Sequence, residues 1–143
     1  MEMTASQSAF SIGEEMSPSI RRLIRSDTVM FEYDVHDMQR AVEWYTEVIG
    51  LEIIFKGGDC HTEFALPVSG ARLALSRTDK DKPVRKAARL FLRTDDLDAV
   101  EAALRSKGAR TGPKEDAGGA VRILWVEDPE GNPLAFEQWS GRA

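Results

Sequence analysis

The side chains able to do chemistry in this chain of 143 residues are few, and most of them fall at alternating positions. His61 and Glu63 stand two residues apart, the spacing that puts both on one face of a strand. Glu32 belongs to the alternating run 27–35, where Val29, Phe31, Tyr33 and Val35 form one set and Met30, Glu32 and Asp34 the other. Arg89 and Arg93 flank Phe91 on one side of the run 88–94. Two arginines with an aromatic ring between them suit an anionic or strongly polar organic group, or else two carboxylates that neutralise them. Glu137 lies in the last apolar run, and Trp125 and Trp139 in the last two. Cys60 follows Gly57-Gly58-Asp59 in a turn, among negative neighbours that disfavour a thiolate nucleophile. No serine shows a histidine and an acid in a triad-like pattern, and His36 adjoins a helix cap, where exposure is expected.

Two helices must position these residues. In 37–50, Met38, Ala41, Val42, Tyr45, Val48 and Ile49 recur on one helical face, with Asp37 as the N-cap and Gly50 as the stop. The pattern returns in 96–108 with Asp96, Leu97, Val100, Leu104 and Gly108. The capping aspartates are 59 residues apart and the glycines 58, so the second copy is one residue shorter. A supersecondary unit used twice is implied. Around the first helix, strands are expected at 27–35, 51–56, 61–67 and 71–78. Around the second they are expected at 88–94, 109–114, 120–127 and 133–139, with a loop at 115–119. Asp128-Pro129-Glu130-Gly131-Asn132 is a tight turn, and the charged stretch 77–86 a solvated linker. Residues 1–26 lie outside the repeat as an N-terminal extension, with a short helix possible at 18–24. The rest, 27–143, reads as one domain: module one at 27–78, a linker at 79–85 and module two at 86–139.

Composition narrows the partners. A hydrophobic share of 42% supports an ordinary core, while a net charge of −5 with no basic block excludes nucleic acid as an expected partner. One cysteine permits no internal disulfide and suits a reducing compartment. No apolar run approaches the ~20 residues of a membrane span, and residues 1–26 lack the apolar core of a secretory signal. A cytoplasmic protein without membrane partners is the expectation.

The run from Val35 to Tyr45, Val48-Ile49-Gly50-Leu51, Asp95-Asp96-Leu97, Lys107-Gly108-Ala109 and the turn 128–132 resemble, in their order and spacing, the vicinal oxygen chelate superfamily. That superfamily holds glyoxalases, bleomycin-resistance proteins, fosfomycin-resistance enzymes and extradiol dioxygenases. The resemblance implies an α+β fold of two βαβββ modules, whose curved mixed sheets form a cup with the helices outside. It also implies a homodimer. Metal enzymes of the superfamily carry ligands at positions that here are Met30, Arg89 and Ala135, together with one in 71–78, which contains no His, Asp, Glu or Cys. None of these supplies a metal donor, and an arginine repels a cation.

The resemblance therefore favours a metal-free protein that binds or sequesters a polar or anionic organic ligand in the cup, with no cofactor. The expected ligand-binding residues are Met30, Glu32, His61, Arg89, Phe91, Arg93, Trp125, Glu137 and Trp139, with Glu32 and Glu137 holding Arg89 in the empty state. The alternative is a glyoxalase-like lyase or isomerase, or a dioxygenase, with one divalent metal displaced onto Glu32, His61 and Glu137.

Overall fold

The computed structural model describes residues 20–85, 89–118 and 120–140; residues 1–19, which hold most of the expected extension, and the expected start of module two at Lys86 lie outside them. The first described residues, Ile20–Leu23, form one 3-10 turn, with Leu23 and Ile24 exposed.

β1 (Val29–Val35) leads into α1 (Met38–Trp44), where the Asp37 carboxylate accepts a hydrogen bond from the Arg40 amide. β2 (Glu52–Gly57), β3 (His61–Ala65) and β4 (Ala71–Arg77) complete a four-stranded sheet in the order β1-β4-β3-β2, with β1 and β4 parallel. The unit then repeats. β5 (Leu90–Arg93) precedes α2 (Leu97–Ser106), capped by Asp96 on the Ala99 amide. After it come β6 (Arg110–Thr111), β7 (Glu115–Asp116), β8 (Val121–Glu127) and β9 (Pro133–Trp139). The second sheet runs β5-β9-β8-β6, with β7 also on β8 and β5 parallel to β9. Two mixed sheets, each served by one helix, make the α+β fold; they do not close into a barrel.

Two details differ from simple repetition. Between Tyr45 and Gly50 the helix widens, with the Gly50 amide bonded to the Tyr45 carbonyl at 3.0 Å in an i→i+5 turn. Gly50 then closes it at φ 85°. This turn absorbs the residue that the second copy lacks. In module two a single strand was expected at 109–114 and a loop at 115–119. Instead β6 and β7 are separate two-residue ladders on β8, because Pro113 between them has no amide to give.

The helix-facing sides of both sheets run into one core, which includes Val35, Tyr45, Phe64, Leu75, Leu97, Leu104, Leu124 and Leu134. Each such side chain contributes about 1.5–3 kcal/mol by leaving water. Polar contacts then fix the modules to each other. The Tyr33 hydroxyl donates to the Pro133 carbonyl at 2.9 Å and accepts from the Leu90 amide at 3.0 Å. Asn132 Nδ2 donates to the Asp34 carbonyl at 3.1 Å, and the Tyr45 hydroxyl to Asp128 Oδ2 at 2.8 Å. Burial pushes the Tyr33 hydroxyl pKa up to about 12 and raises those of Tyr45 and Asp128. The linker is more than a solvated connection. Arg85 grips the Asp34 carboxylate with both Nε and Nη2, at 2.6 and 3.1 Å, and the Lys82 carbonyl lies 2.6 Å from His36 Nε2. Among the described residues no helix is long and apolar enough to cross a membrane.

Candidate functional site

Each sheet has one face toward its helix and one away from it. On module two, register assigns Phe91 and Arg93 of β5, Ala135 and Glu137 of β9, and Ile123 and Trp125 of β8 to the open face. Trp139, opposite Val121, continues that row, and Arg89 immediately precedes β5. Six of the nine expected ligand-binding residues therefore fall on this side, and they touch. The Phe91 and Trp125 rings meet edge-on with centroids 5.3 Å apart. The Arg89 guanidinium lies over the Trp125 ring at 5.6 Å, and that of Arg93 over the Trp139 ring at 4.6 Å. Arg93 also reaches Glu137 at 3.6 Å.

Met30, Glu32 and His61, the other three, share the open face of module one with Glu63, Arg72 and Phe55. His61 Nε2 sits 2.8 Å from Glu63 Oε2, and its Nδ1 3.8 Å from Glu32 Oε2. Arg72 Nη1 donates to Glu63 Oε1 at 2.8 Å. The hydrogen bonds from His61 and then Arg72 hold the Glu63 carboxyl below the usual carboxylate range. Arg72 and Phe55 were not anticipated. Arg72 alternates visibly with Ala74 and Ser76, whereas Phe55 reaches this face through a bulge at Ile54 that shifts the β2–β3 register.

Some expected partnerships are replaced by others. Glu32 and Glu137 do not clasp Arg89: Glu32 meets His61, Glu137 meets Arg93, and Arg89 stacks on Trp125. The displaced metal set of Glu32, His61 and Glu137 is not assembled. Among the described residues no group of three His, Cys, Asp or Glu side chains is placed to hold a metal ion. His36 is half-buried, bound to the Lys82 carbonyl and 3.6 Å from Glu130, so its place is a structural bridge. Cys60 is exposed, with Arg77 Nη2 3.8 Å from its sulfur besides the acidic neighbours.

Both faces are open to solvent in the single chain: Met30 is 47% exposed, Phe55 50%, Phe91 40% and Trp139 41%. A separate apolar groove of about 570 Å³ lies between Val48 and Ile49 on one side and Val100, Leu104 and Phe136 on the other. Of the expected site residues it takes in only Arg93.

The family model of the glyoxalase-like domain matches residues 30–136, which takes in both helices and all of the two open faces but Glu137 and Trp139. The chain belongs to the glyoxalase-like domain family. Solved structures of this kind share the fold. The antibiotic-binding protein TnmS3 of Streptomyces sp. CB03234 is 27% identical, with a TM-score of 0.67 over 81% of this chain and 98% of that one. A glyoxalase/bleomycin resistance protein of Catenulispora acidiphila is 25% identical, with a TM-score of 0.65 over 79% of this chain and 98% of its own. A Nocardioides glyoxalase/bleomycin resistance protein/dioxygenase, 17% identical, superposes at a TM-score of 0.72 over 97% of this chain and 96% of its own, which speaks for the fold alone. Curated protein sequences give no match.

Proposed function

We propose that this glyoxalase-like chain is a small-molecule-binding protein that works without a metal ion, taking up an organic ligand with a flat apolar body and an anionic or strongly polar substituent. The observation that carries this reading is the open face of module two, where Phe91, Trp125 and Trp139 are interleaved with the guanidinium groups of Arg89 and Arg93. Aromatic faces supply stacking area, and a guanidinium already placed over a ring presents its donors as a planar fork. The likeness to TnmS3, an antibiotic-binding protein, supports the same class of ligand. Arg89 stands where the superfamily's metal enzymes place a ligand, which speaks against a metal at that position.

The exposed Met30, Phe55, Phe91 and Trp139 support a homodimer in which a second copy covers the open faces. Light scattering at micromolar concentration tests it; a monomeric mass at that concentration refutes it.

The binding test uses tryptophan quenching with anthraquinone-2-carboxylate and its uncharged parent. A charge-assisted bond of about 1.5–3 kcal/mol makes Arg89→Met bind the carboxylate tenfold to a hundredfold more weakly, with little change for the neutral compound. Equal affinities of wild type and variant for the carboxylate, or a stoichiometric metal copurifying with the wild type, would overturn the reading.

A further inference from the structure

On the helix side of the four-stranded sheet, away from its open face, a polar cleft of about 750 Å³ lies between α1, the β2–β3 hairpin and the segment after β4. Register builds one wall of it. Lys56 stands opposite Thr62, and Thr62 opposite Leu75, so these side chains share the face that carries Tyr33 and Val35. Arg77 pairs with Val35 on that face, and Lys80 follows in the linker. Among the described residues none of Lys56, Arg77 and Lys80 forms an ion pair; the Arg77 guanidinium meets only the Cys60 sulfur. Three cations without an ion-pair partner thus line one hollow, which the carboxylates of Asp37, Glu43 and Asp59 line as well.

The floor adds a second, independent observation. Thr62 lines the cleft, is fully buried, and its hydroxyl has no hydrogen-bond partner. Buried hydroxyls are nearly always paired, so an orphan beside a cavity marks a missing partner. The opposite wall carries Asp37 and Glu43 of α1. Asp37 Oδ1 already accepts the Arg40 amide, and Glu43 Oε2 is 3.5 Å from the Gln39 amide group, so each carboxylate keeps acceptor capacity beyond these bonds.

We infer that this cleft binds a phosphomonoester of a small polyhydroxy compound. Lys56, Arg77 and Lys80 take the dianionic phosphate, the carrier's hydroxyls donate to Asp37 and Glu43, and the Thr62 hydroxyl gains its partner at the floor. The volume suits a ligand of that size. With Asp59 at the hairpin the acids equal the three cations in number, so the cleft has cations to seat one phosphate group and none to spare for the many phosphates of a nucleic-acid backbone. The site lies on the other side of the sheet from His61 and Glu63 and stands apart from the aromatic face.

The experiment maps amide shifts by NMR at constant ionic strength, with ribose 5-phosphate, inorganic phosphate and ribose added in separate arms. Ribose 5-phosphate should give saturable shifts at Lys56, Thr62 and Arg77. Lys56→Gln and Arg77→Gln should each weaken binding roughly tenfold, as expected for the loss of one charge-assisted contact. Thr62→Val, equal in shape, should weaken binding while thermal stability holds or rises, a split that a purely structural threonine would not give. If that variant does not fold, the exposed Lys56 and Arg77 variants decide. Absent saturation, shifts confined to Phe91 and Trp125, or a response that sodium chloride reproduces would overturn the site. Inorganic phosphate binding as tightly as the ester would overturn the assignment to an ester.

Discussion

Tyr33→Phe tests whether the two modules stand as one unit. The side chain is 2% exposed, and its hydroxyl is shared between two elements of the other module. Removing the oxygen deletes two hydrogen bonds of about 0.5–1.5 kcal/mol each, and it strands the Leu90 amide and the Pro133 carbonyl in a buried seam. An orphaned buried donor adds about 1–3 kcal/mol, so the expected loss is about 2–6 kcal/mol. That is a large part of the ~5–15 kcal/mol that holds a domain of this kind together. With a urea slope of about 2 kcal/mol per M, the middle of the usual range, the midpoint falls by roughly 1–3 M. Equilibrium denaturation followed by tryptophan fluorescence reads both halves at once, since Trp44 lies in module one and Trp125 and Trp139 in module two. The slope should be unchanged. A midpoint within ~0.3 M of wild type, at the same slope, would refute the idea that this hydroxyl couples the sheets. Burial holds the hydroxyl pKa at about 12, above its ordinary 10, so the folded state keeps the proton longer than the unfolded chain does. Stability from this group is therefore full below pH 10 and declines as pH rises from 10 to about 12.

Three further outcomes follow from local geometry. Glu63 is held below the usual carboxylate range first by His61, so its stabilisation is present above the ordinary value and is lost as pH falls through the depressed one; His61→Ala should raise its titration midpoint in carboxyl-carbon NMR, leaving Arg72 as the remaining donor. Gly70→Ala should cost more than about 2 kcal/mol by thermal melting, because φ is +77° and the added Cβ would lie 2.3 Å from the Asp27 carbonyl oxygen; a neutral result would mean that the 27–28 segment shifts freely. Asp96→Ala should cost about 1 kcal/mol in the same assay through loss of the bond to the Ala99 amide, and Asp96→Asn should recover most of it.

The repeat was readable because its punctuation is local: an aspartate that caps, an apolar stripe and a glycine that stops need nothing from the rest of the chain. The one-residue discrepancy between the copies was readable too, although only the structure shows it as a widened turn before Gly50. Strand alternation put Arg89, Phe91 and Arg93 on one face of their strand, and β5 and β9 pair without a bulge; that Trp125 and Trp139 share the face is seen only in the β8–β9 register. Alternation gave no place to Phe55, since a bulge at Ile54 cannot be seen in a run of apolar residues. Which acid meets which arginine was not legible either. Arg89 and Arg93 differ only in position along the strand, and Glu137 chooses Arg93 because parallel pairing sets those two residues side by side. The seam between modules was hidden for a different reason. Tyr33 meets a carbonyl 100 residues away, and Tyr45 an aspartate 83 away, and neither separation leaves a periodic trace.

The turn between β8 and β9 separates the two halves of the duplication in kind. Glu130 accepts the Asp37 amide, Asp128 takes the Tyr45 hydroxyl and Asn132 holds the Asp34 carbonyl, so a turn of module two serves as a bolt in module one. The corresponding turn of module one, between β3 and β4, instead lies against the 27–28 segment. The copies are thus not interchangeable parts. A chain carrying module one twice would have a socket at each α1 and no bolt to enter it, and one carrying module two twice would have the reverse. Recombination among relatives can exchange the halves only when the partner supplies both members of this fitting, so the two modules are tied into one inherited unit although each repeats the other's architecture.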